Sequence, residues 1–406
     1  MSDPAVSIRD KQLPRLRRNY PVFRFMGGNL ISFFGDQIYL IAFPLIILKL
    51  TGSPLSMGIV AALERLPIWL QPVTGVLEDR VNKKRLLLIC DLGRGVLIGL
   101  IASLYLLQHL DMWEIYGGAL LIGMMSQIYN TSQFASIPRL VREQDLQAAN
   151  SINSSFSKTA VLLGPGLGGW IVSFYNPGYA LLINSLSFFV SFLTVASLPI
   201  VTAKSPSRSN VSFYKELMEG FRFVFKTKPI LYTNLSILIS MAGATLFLTM
   251  MIYYLKTPRH LTADQIGWLL SLGGAASILG ALSTNWLLKR VSRRGLLFGA
   301  SFIGGLSIIL FSCAHSFVWL VICNAIGDFL ASIMNPVIVT LRQALTPDHL
   351  LGRVQATSRF MSWIFLPLSS FLSGVLALHL GSAGTILIGG LLSAGASFFY
   401  LHSSLK

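Results

Sequence analysis

Long apolar segments recur along this chain, and they constrain its fold more than any other feature. Most are roughly 20 residues long, the length that a helix needs to cross the hydrocarbon core of a bilayer. They comprise residues 23–50, 55–77, 86–107, 113–132, 149–174, 179–198, 230–255, 266–288, 295–313, 317–341, 354–378 and 384–401. We therefore predict an all-α integral membrane protein with twelve transmembrane helices.

The composition and the charge agree with a membrane protein. Only 12% of the residues are charged, about half the share of a soluble domain. A net charge of +16 can indicate a nucleic-acid partner. Here, however, Lys and Arg form short clusters between apolar segments, which is typical of charges that set membrane topology and attract anionic lipid. We expect contact with membrane lipid and no nucleic-acid partner.

The distribution of cations predicts the orientation of the chain. Of the 32 Lys and Arg residues, only Lys49, Lys256 and Arg259 fall in or next to the loops on one side. Apart from three within helices, the others flank the opposite side, which should face the cytoplasm. Both termini are then cytoplasmic, as an even number of spans requires. We expect a multi-pass protein of a prokaryotic inner (plasma) membrane.

An internal repeat divides the chain into two halves. Gly75 and Leu77 are repeated as Gly280 and Leu282, and the pair Lys84-Arg85 recurs in the same register as Lys289-Arg290. We predict an N-terminal six-helix half over residues 1–198 and a C-terminal half over residues 230–406.

A polar connection, residues 199–229, separates the two halves. Residues 202–210 are rich in Ser, contain the two cations Lys204 and Arg208, and are predicted to be flexible. Residues 213–225 place apolar side chains at helical spacing among charged ones, which predicts an amphipathic helix at the cytoplasmic interface. A linker helix without an activity of its own is the favoured interpretation.

Four ionisable residues fall deep within the predicted spans, where charge is costly. Asp36 lies about 20 Å along its helix from residue 23, Glu64 and Arg65 are adjacent in the second span, and Asp328 lies at a similar depth in the tenth. They could form a network that binds a proton or a cationic substrate. The alternative is a set of ion pairs, such as Asp36 with Arg65, that only joins helices. Lys158, in the fifth span, is interpreted as a lysine that reaches the membrane surface.

The segment 75–85, G-V-L-E-D-R-V-N-K-K-R, connects two apolar runs and must be a short loop at the membrane surface. We expect Asn82 to adopt a positive φ, so that the chain can turn there. The segment resembles the signature loop between helices 2 and 3 of major facilitator superfamily transporters, G-x-L-a-D-R-x-G-R-K. The matching residues are Gly75, Leu77, Asp79, Arg80, Lys83 and Lys84.

The resemblance implies a gating role for Asp79 and Arg80, since this loop contacts helix 11 in the outward-facing state of such transporters and releases it in the inward-facing one. Asp91 and Arg94 lie one turn apart in the third span. They could pair with each other, or join Asp79 and Arg80 in a charge cluster that holds the inner gate shut.

A glycine-rich motif lies in the fifth span, G-P-G-L-G-G over residues 164–169. Proline with glycines bends a helix and lets a neighbour pack close. The motif is similar to G-x-x-x-G-P-x-x-G-G of the antiporter, or exporter, branch of the superfamily, with Ala160 at the first glycine. The residues that carry this resemblance are Gly164, Pro165, Gly168 and Gly169. A generic small-residue packing face is the alternative. The run Gly273-Gly274-Ala275-Ala276 has no such pattern and is interpreted as plain packing.

Further residues resemble one group of that branch. They are Arg342-Gln343, Pro347, Gly352-Arg353, Asp36, Ile137-Pro138 and Ala149-Asn150. This group comprises drug:proton antiporters and includes macrolide-efflux and siderophore-export proteins. The resemblance implies the major facilitator fold and a monomer that exports a small amphipathic or cationic compound in exchange for protons.

Several other classes are disfavoured by missing motifs. The chain has no G-x-x-x-x-G-K-[ST], no H-E-x-x-H and no G-x-S-x-G. We therefore expect no ATP-driven pump, no metal site, no cofactor and no enzyme. Two alternatives stay open on the same fold. One is a lipid or lysolipid flippase, and the other is a membrane sensor that binds a ligand without transporting it.

Overall fold

The computed structural model describes residues 13–70, 82–198, 213–347 and 350–405, and their regular structure is helical, without strands. Short 3-10 segments supplement the α-helices. The α-helices are α1 (Tyr20–Thr51), α2 (Pro54–Arg65), α3 (Lys83–Leu106), α4 (Met112–Leu140), α5 (Leu146–Phe174), α6 (Pro177–Ala196), α7 (Phe213–Lys226), α8 (Lys228–Lys256), α9 (Ala263–Leu288), α10 (Arg293–Cys313), α11 (Phe317–Leu345), α12 (Leu351–Trp363) and α13 (Leu366–Ala396).

Local sequence signals explain where several helices begin. The side chains of Ser53 and Asn176 accept hydrogen bonds from backbone N–H groups at the starts of α2 and α6, and a proline follows each at the first helical position. At α4, the Glu114 side chain accepts a hydrogen bond from the backbone N–H of Asp111, which is half of a capping box. These contacts satisfy backbone donors that a helix start leaves unpaired.

Within the part of the chain that the structure describes, eight helical segments are long and apolar enough to cross a membrane. The segment Leu351–Leu401 is counted once, although it contains both of the last two predicted spans. Helix α2 is only 12 residues long, and the first half of α5 is rich in Ser and Asn. A membrane-spanning, all-helical fold is shown, and the count of twelve spans stays a prediction.

The chain divides into two compact units. The N-terminal unit comprises Met1–Ile46 and Leu70–Ser207, and the C-terminal unit comprises Ile47–Trp69 and Arg208–Lys406. Helix α2 and the end of α1 are therefore counted with the C-terminal unit. The predicted domain boundaries at residues 198 and 230 stay a prediction.

In the N-terminal unit, α3 packs on α4 and α6. Helix α1 approaches α6 closely at two glycines, two turns apart. A Cβ atom at Gly28 would collide with Thr194, and one at Gly35 would collide with Ser187 and Asn184. Small residues of this kind let helix backbones approach, which is the principal source of helix contact within a membrane.

In the C-terminal unit, α13 packs on α8, α10 and α2, while α9 packs on α11. The contact between α2 and α13 depends on two glycines that face each other. A Cβ atom at Gly58 would lie 2.8 Å from the Cα atom of Gly374, and one at Gly374 would lie 2.9 Å from the Cα atom of Leu55. The backbones themselves are in contact here, so no larger residue fits.

Helix α13 is interrupted at Gly381, whose φ of 72° and ψ of 167° are not helical. The interruption lies between residues 378 and 384, where the sequence predicts one span to end and the next to begin. The predicted span 354–378 is itself divided between α12 and α13. Glycine suits position 381 because it adopts a positive φ without steric cost.

Helix α7 confirms the helix predicted over residues 213–225. It packs on α12, where Arg353 forms an ion pair with Glu219, and Gly220 lies against the backbone of Arg353. Residue Arg342, at the end of α11, donates hydrogen bonds to Asn234 of α8 and Gln355 of α12. The predicted flexible segment, residues 202–210, lies outside the described residues.

Candidate functional site

A buried ion pair lies in the core of the N-terminal unit. The Arg94 Nη2 atom is 2.7 Å from Asp91 Oδ1, and both residues are almost completely buried within α3. The guanidinium carbon of Arg94 also lies 4.1 Å from the ring centroid of Tyr129 and 4.2 Å from that of Phe188. The cation is therefore held between two aromatic faces while it pairs with a carboxylate.

Hydrogen bonds extend this pair to three neighbouring helices. Ser191 of α6 donates to Asp91 Oδ2 at 2.7 Å, and the Tyr129 hydroxyl of α4 donates to Asn29 Oδ1 of α1 at 2.8 Å. The Tyr129 and Ser191 hydroxyl oxygens are 3.2 Å apart. The predicted pairing of Asp91 with Arg94 is present, and a wider cluster with Asp79 and Arg80 stays a prediction because those two residues lie outside the described part of the chain. We refer to Asn29, Asp91, Arg94, Tyr129 and Ser191 as the buried polar cluster.

Asp36 lies on α1 in the same unit, half-buried, and close enough to Asp91 and Arg94 for their charges to act on it. Its neighbour Gly35 seats α1 against α6. Two carboxylates, those of Asp36 and Asp91, therefore lie within electrostatic range of the Arg94 guanidinium.

Glu64 and Arg65 lie at the end of α2, in the C-terminal unit. The Arg65 Nη1 atom donates to the Thr249 hydroxyl of α8 at 3.0 Å and to the Ser370 hydroxyl of α13. Glu64 is half-buried beside it. The guanidinium thus joins α2 to two other helices of its unit through hydroxyl groups.

Asp328 lies at a different place in the C-terminal unit, where α11 meets α9. Its Oδ2 atom accepts a hydrogen bond from Asn324 Nδ2 at 3.0 Å, one turn earlier on α11. On α9, Gly273 provides the space for this pair, because a Cβ atom there would collide with both Asp328 and Asn324. The sequence indicates only plain packing for Gly273, whereas the structure shows that it leaves room for the Asp328 carboxylate.

The signature loop is described only in part. Gly75, Asp79 and Arg80 lie outside the described residues, and their gating role stays a prediction. Lys83 begins α3, and the Lys84 Nζ atom donates to the carbonyl oxygens of Ala196 and Leu198.

The expectation of a positive φ at Asn82 is wrong. Its φ is −63°, and its side chain accepts hydrogen bonds from the backbone N–H groups of Lys84 and Arg85. An asparagine at this position is more useful as the N-cap of α3 than as a turn residue.

The glycine-rich motif of α5 faces α1. Gly164, Pro165, Gly168 and Gly169 are all buried in a helix that continues through the proline. A Cβ atom at Gly164 would lie 2.5 Å from Gln37 Cβ, and one at Gly168 would lie 3.0 Å from the Cα atom of Ile38. The motif brings the two backbones together, and its antiporter role stays a prediction.

Near this contact, a cleft of about 530 Å³ lies between α1, α4 and α5. Its lining includes Phe33 of α1, Gln133 and Phe134 of α4, and Asn153 and Lys158 of α5. Phe33 is one turn from Asp36 on the same face of α1. The cleft is therefore adjacent to one of the predicted coupling residues.

The sequence did contain a signal for this cleft. Asn150, Ser154 and Lys158 recur at intervals of four residues, so they share one face of α5, within a stretch that is rich in Ser and Asn. In the described parts of the chain, no three His, Cys, Asp or Glu side chains are grouped in a way that would hold a metal ion.

Comparison with known proteins agrees with this architecture. The model of a family described as transmembrane secretion effector matches residues 16–406. The multidrug efflux pump Tap of Mycolicibacterium fortuitum is 24% identical over 379 residues, which cover 90% of this chain and 91% of Tap. The enterobactin exporter EntS of Citrobacter koseri is 28% identical over 350 residues, covering 84% of this chain and 81% of EntS.

Solved structures show the same fold. A mutant form of the nucleoside transporter NupG superposes with a TM-score of 0.79 at 14% identity, covering 95% of this chain and all of NupG. A bacterial homologue of the iron transporter ferroportin, in an inward-facing state, gives a TM-score of 0.72 at 16% identity, with 95% of this chain covered and all of the homologue.

The family match extends over almost the whole chain, and these relatives are transporters rather than enzymes. The predicted resemblance to major facilitator superfamily transporters is thereby confirmed. The chain belongs to the transmembrane secretion effector family of the major facilitator superfamily.

Proposed function

We propose that the protein is a proton-coupled exporter, an antiporter that moves a small amphipathic or cationic compound, such as a drug or a siderophore, out of the cell by alternating access. Relatives named as a multidrug efflux pump and an enterobactin exporter support export, because their alignments cover most of this chain. The glycine motif of α5 supports antiport through its resemblance to the exporter branch.

The proposal includes the architecture that such a cycle needs. Twelve spans form two six-helix halves, both termini face the cytoplasm, and the protein works as a monomer in a prokaryotic inner membrane. The distribution of Lys and Arg supports the orientation. Asp79 and Arg80 act at the inner gate.

Proton coupling is supported by the excess of acidic over basic groups at the buried polar cluster and Asp36. Asp36 and Asp91 are two carboxylates within range of one guanidinium, that of Arg94. With both carboxylates ionised, this group of three carries a net negative charge inside the membrane, which is costly. A proton on Asp36 leaves the group neutral, so proton binding and release would change its energy in a way that a conformational cycle can use.

Asp328 is proposed as a second coupling residue, since it is a carboxylate seated between two membrane helices. Glu64 and Arg65 are proposed to assist at the end of α2. Arg65 is tied to hydroxyl groups of α8 and α13, so its contacts must loosen if α2 moves relative to them.

Everted membrane vesicles with a preformed proton gradient test the proposal. Lipophilic cations, macrolides and siderophores are added in turn, and a pH-sensitive dye follows the gradient. A transported compound should dissipate the gradient with the wild-type protein. The Asp36→Asn variant should reduce the initial rate at least about tenfold, because a neutral amide cannot carry the proton.

Asp111→Asn is the matched control. Asp111 is exposed at the start of α4, and asparagine retains the capping ability of aspartate there. Its rate should equal that of the wild type. Equal rates for Asp36→Asn and the wild type would exclude Asp36 as the coupling residue. Binding without any flux would favour the sensor, and stimulation by lipid alone would favour the flippase.

A further inference from the structure

The cleft between α1, α4 and α5 has the dimensions of a small-molecule site. Its volume of about 530 Å³ falls within the range of roughly 300–1,000 Å³ that is usual for ligand pockets. All of its lining belongs to the N-terminal unit. It shares Asn150 and Ser154 with a wider groove of about 750 Å³ along α5. A ligand could therefore approach it along a polar face of that helix.

The charge of the cleft is the first indication of its ligand. Among the described residues that line it, Lys158 is the one charged side chain, and none is acidic. Lys158 is exposed and lies three turns into α5. An ammonium group attracts a carboxylate, phenolate or other oxyanion and repels a cationic ligand.

Two amides provide the second, independent indication. Gln133 is only 7% exposed, and its Nε2 atom has no hydrogen-bond partner among the described residues. The Oδ1 atom of Asn153, on the facing helix, is also buried without a partner in the described part of the chain. A buried polar atom without a partner is costly. Both residues line the cleft, so a bound ligand with oxygen acceptors and a hydroxyl donor could satisfy them.

Another part of the wall is apolar. Phe33 and Phe134 line the cleft together with Ile137, and Phe134 is 76% exposed. Aromatic side chains bind flat, apolar groups by stacking. The cleft thus combines an aromatic wall with a polar wall that contains one cation.

We propose that this cleft binds an amphipathic compound with an aromatic body and an anionic, oxygen-rich head group. The aromatic body lies against Phe33 and Phe134, Lys158 pairs with the oxyanion, and Gln133 and Asn153 bind the neighbouring oxygens. This inference rests on the proposed export function and narrows its substrate class. It also replaces the interpretation of Lys158 as a lysine that only reaches the membrane surface.

Two fluorescent probes of opposite charge test this inference by binding alone. Dansyl aminohexanoate and dansyl cadaverine share an aromatic body and a five-carbon linker, and they end in a carboxylate and an ammonium group. Each is titrated against the purified full-length protein in lipid nanodiscs. The anionic probe should bind at least about tenfold more tightly than the cationic one, the ratio expected from one charge-assisted hydrogen bond.

Lys158→Gln should weaken binding of the anionic probe about tenfold. Binding of the cationic probe should stay unchanged or become slightly tighter. Lys158→Arg should restore anionic binding to within about twofold, because it keeps the charge. Gln133→Leu should weaken binding of the anionic probe several-fold, because leucine is similar in size to glutamine but has no polar side-chain atoms. Lys289→Gln is the control, since Lys289 is exposed after α9 in the other unit, and it should change neither probe.

The assignment would be overturned if wild-type protein bound the cationic probe more tightly than the anionic one, or bound both equally. It would also be overturned if Lys158→Gln reduced the affinity for both probes equally. The absence of binding of either probe to wild-type protein would overturn it as well. Thermal unfolding of each variant identifies one that has simply lost its fold, and the Lys158→Arg result then decides. Charge-selective binding without proton-driven flux would leave this site in place and reject the proposed export, so the two failures are distinguishable.

Discussion

At the scale of single residues, the buried polar cluster shows how a charge is tolerated inside the membrane. The Arg94 guanidinium pairs with Asp91 and stacks between the rings of Tyr129 and Phe188. The spacing of Asp91 and Arg94 along α3 is enough to predict that they could pair. Sequence could not identify the rings, since Tyr129 and Phe188 come from helices distant in the chain and look like ordinary apolar positions.

Arg94→Met should therefore destabilise the protein strongly. It leaves the Asp91 carboxylate buried without its cation, a loss of about 3–5 kcal/mol in the free energy of unfolding. Unfolding by a graded mixture of denaturing and mild detergents, followed by circular dichroism, measures the change. Arg85→Met on the same helix is the control, because Arg85 is exposed at the start of α3.

The double variant Asp91→Asn/Arg94→Met separates charge from packing. It removes both charges together, so it should regain at least half of the stability lost in Arg94→Met. The double variant could instead be less stable than the single one. The stability lost in Arg94→Met would then come mainly from lost stacking on Tyr129 and Phe188 rather than from the broken ion pair.

At the scale of elements, apolar length predicts where helices lie better than where they break. The segments 230–255 and 295–313 correspond to α8 and α10 within three residues at each end. The segment 113–132, by contrast, continues as α4 to Leu140, because its polar residues and Pro138 are accommodated within the helix. The segment 354–378 is divided after Trp363. Hydrophobicity reports burial in lipid or protein, and it carries little information about such breaks.

Contacts between elements are the hardest feature to predict. Gly273 lies in a run of small residues that suggests nothing beyond packing, yet it leaves room for Asp328 and Asn324 of α11. The size of a glycine indicates that something approaches it, but the identity of the neighbour depends on the tertiary fold. The same holds for the polar residues around the cleft, whose common face is visible in the sequence although their partners on α1 and α4 are not.

Gly273→Ala should destabilise the contact between α9 and α11 by about 1–3 kcal/mol, because the added methyl group displaces the Asp328 side chain. The detergent unfolding assay measures this change. Gly304→Ala is the control, since a Cβ atom there meets nothing within 4 Å, and alanine should match or slightly increase the wild-type stability. Equal stability of the two variants would show that α9 and α11 relax around the methyl group without loss.

At the scale of the whole molecule, the contact units differ from the halves suggested by the internal repeat. The repeat predicts a division near residues 198 and 230. In the structure, Ile47–Trp69 packs as part of the C-terminal unit. A repeat reflects how two halves of a sequence correspond. It does not report which helix packs on which, and here α2 packs on α13.

Two co-expressed fragments, residues 1–207 and 208–406, should therefore copurify through the α2–α13 contact. Gly374→Val in the second fragment should reduce recovery of the complex about tenfold or more, because the branched side chain would overlap the backbone of α2 at Leu55. Gly304→Ala in the same fragment serves as the comparison and should leave recovery unchanged. Undiminished recovery with Gly374→Val would mean that other contacts hold the fragments together.

The glycine contact between α2 and α13 also has a consequence for biosynthesis. Chains are inserted from the N-terminus, so α2 enters the bilayer when almost all of the C-terminal unit is still unmade. The face around Gly58 must then stay against lipid, or against temporary partners, until α13 emerges near the end of translation. Synthesis of the last two predicted spans thus completes the packing of the second one, and a nascent chain truncated before residue 366 would expose a glycine face that quality-control proteases can recognise.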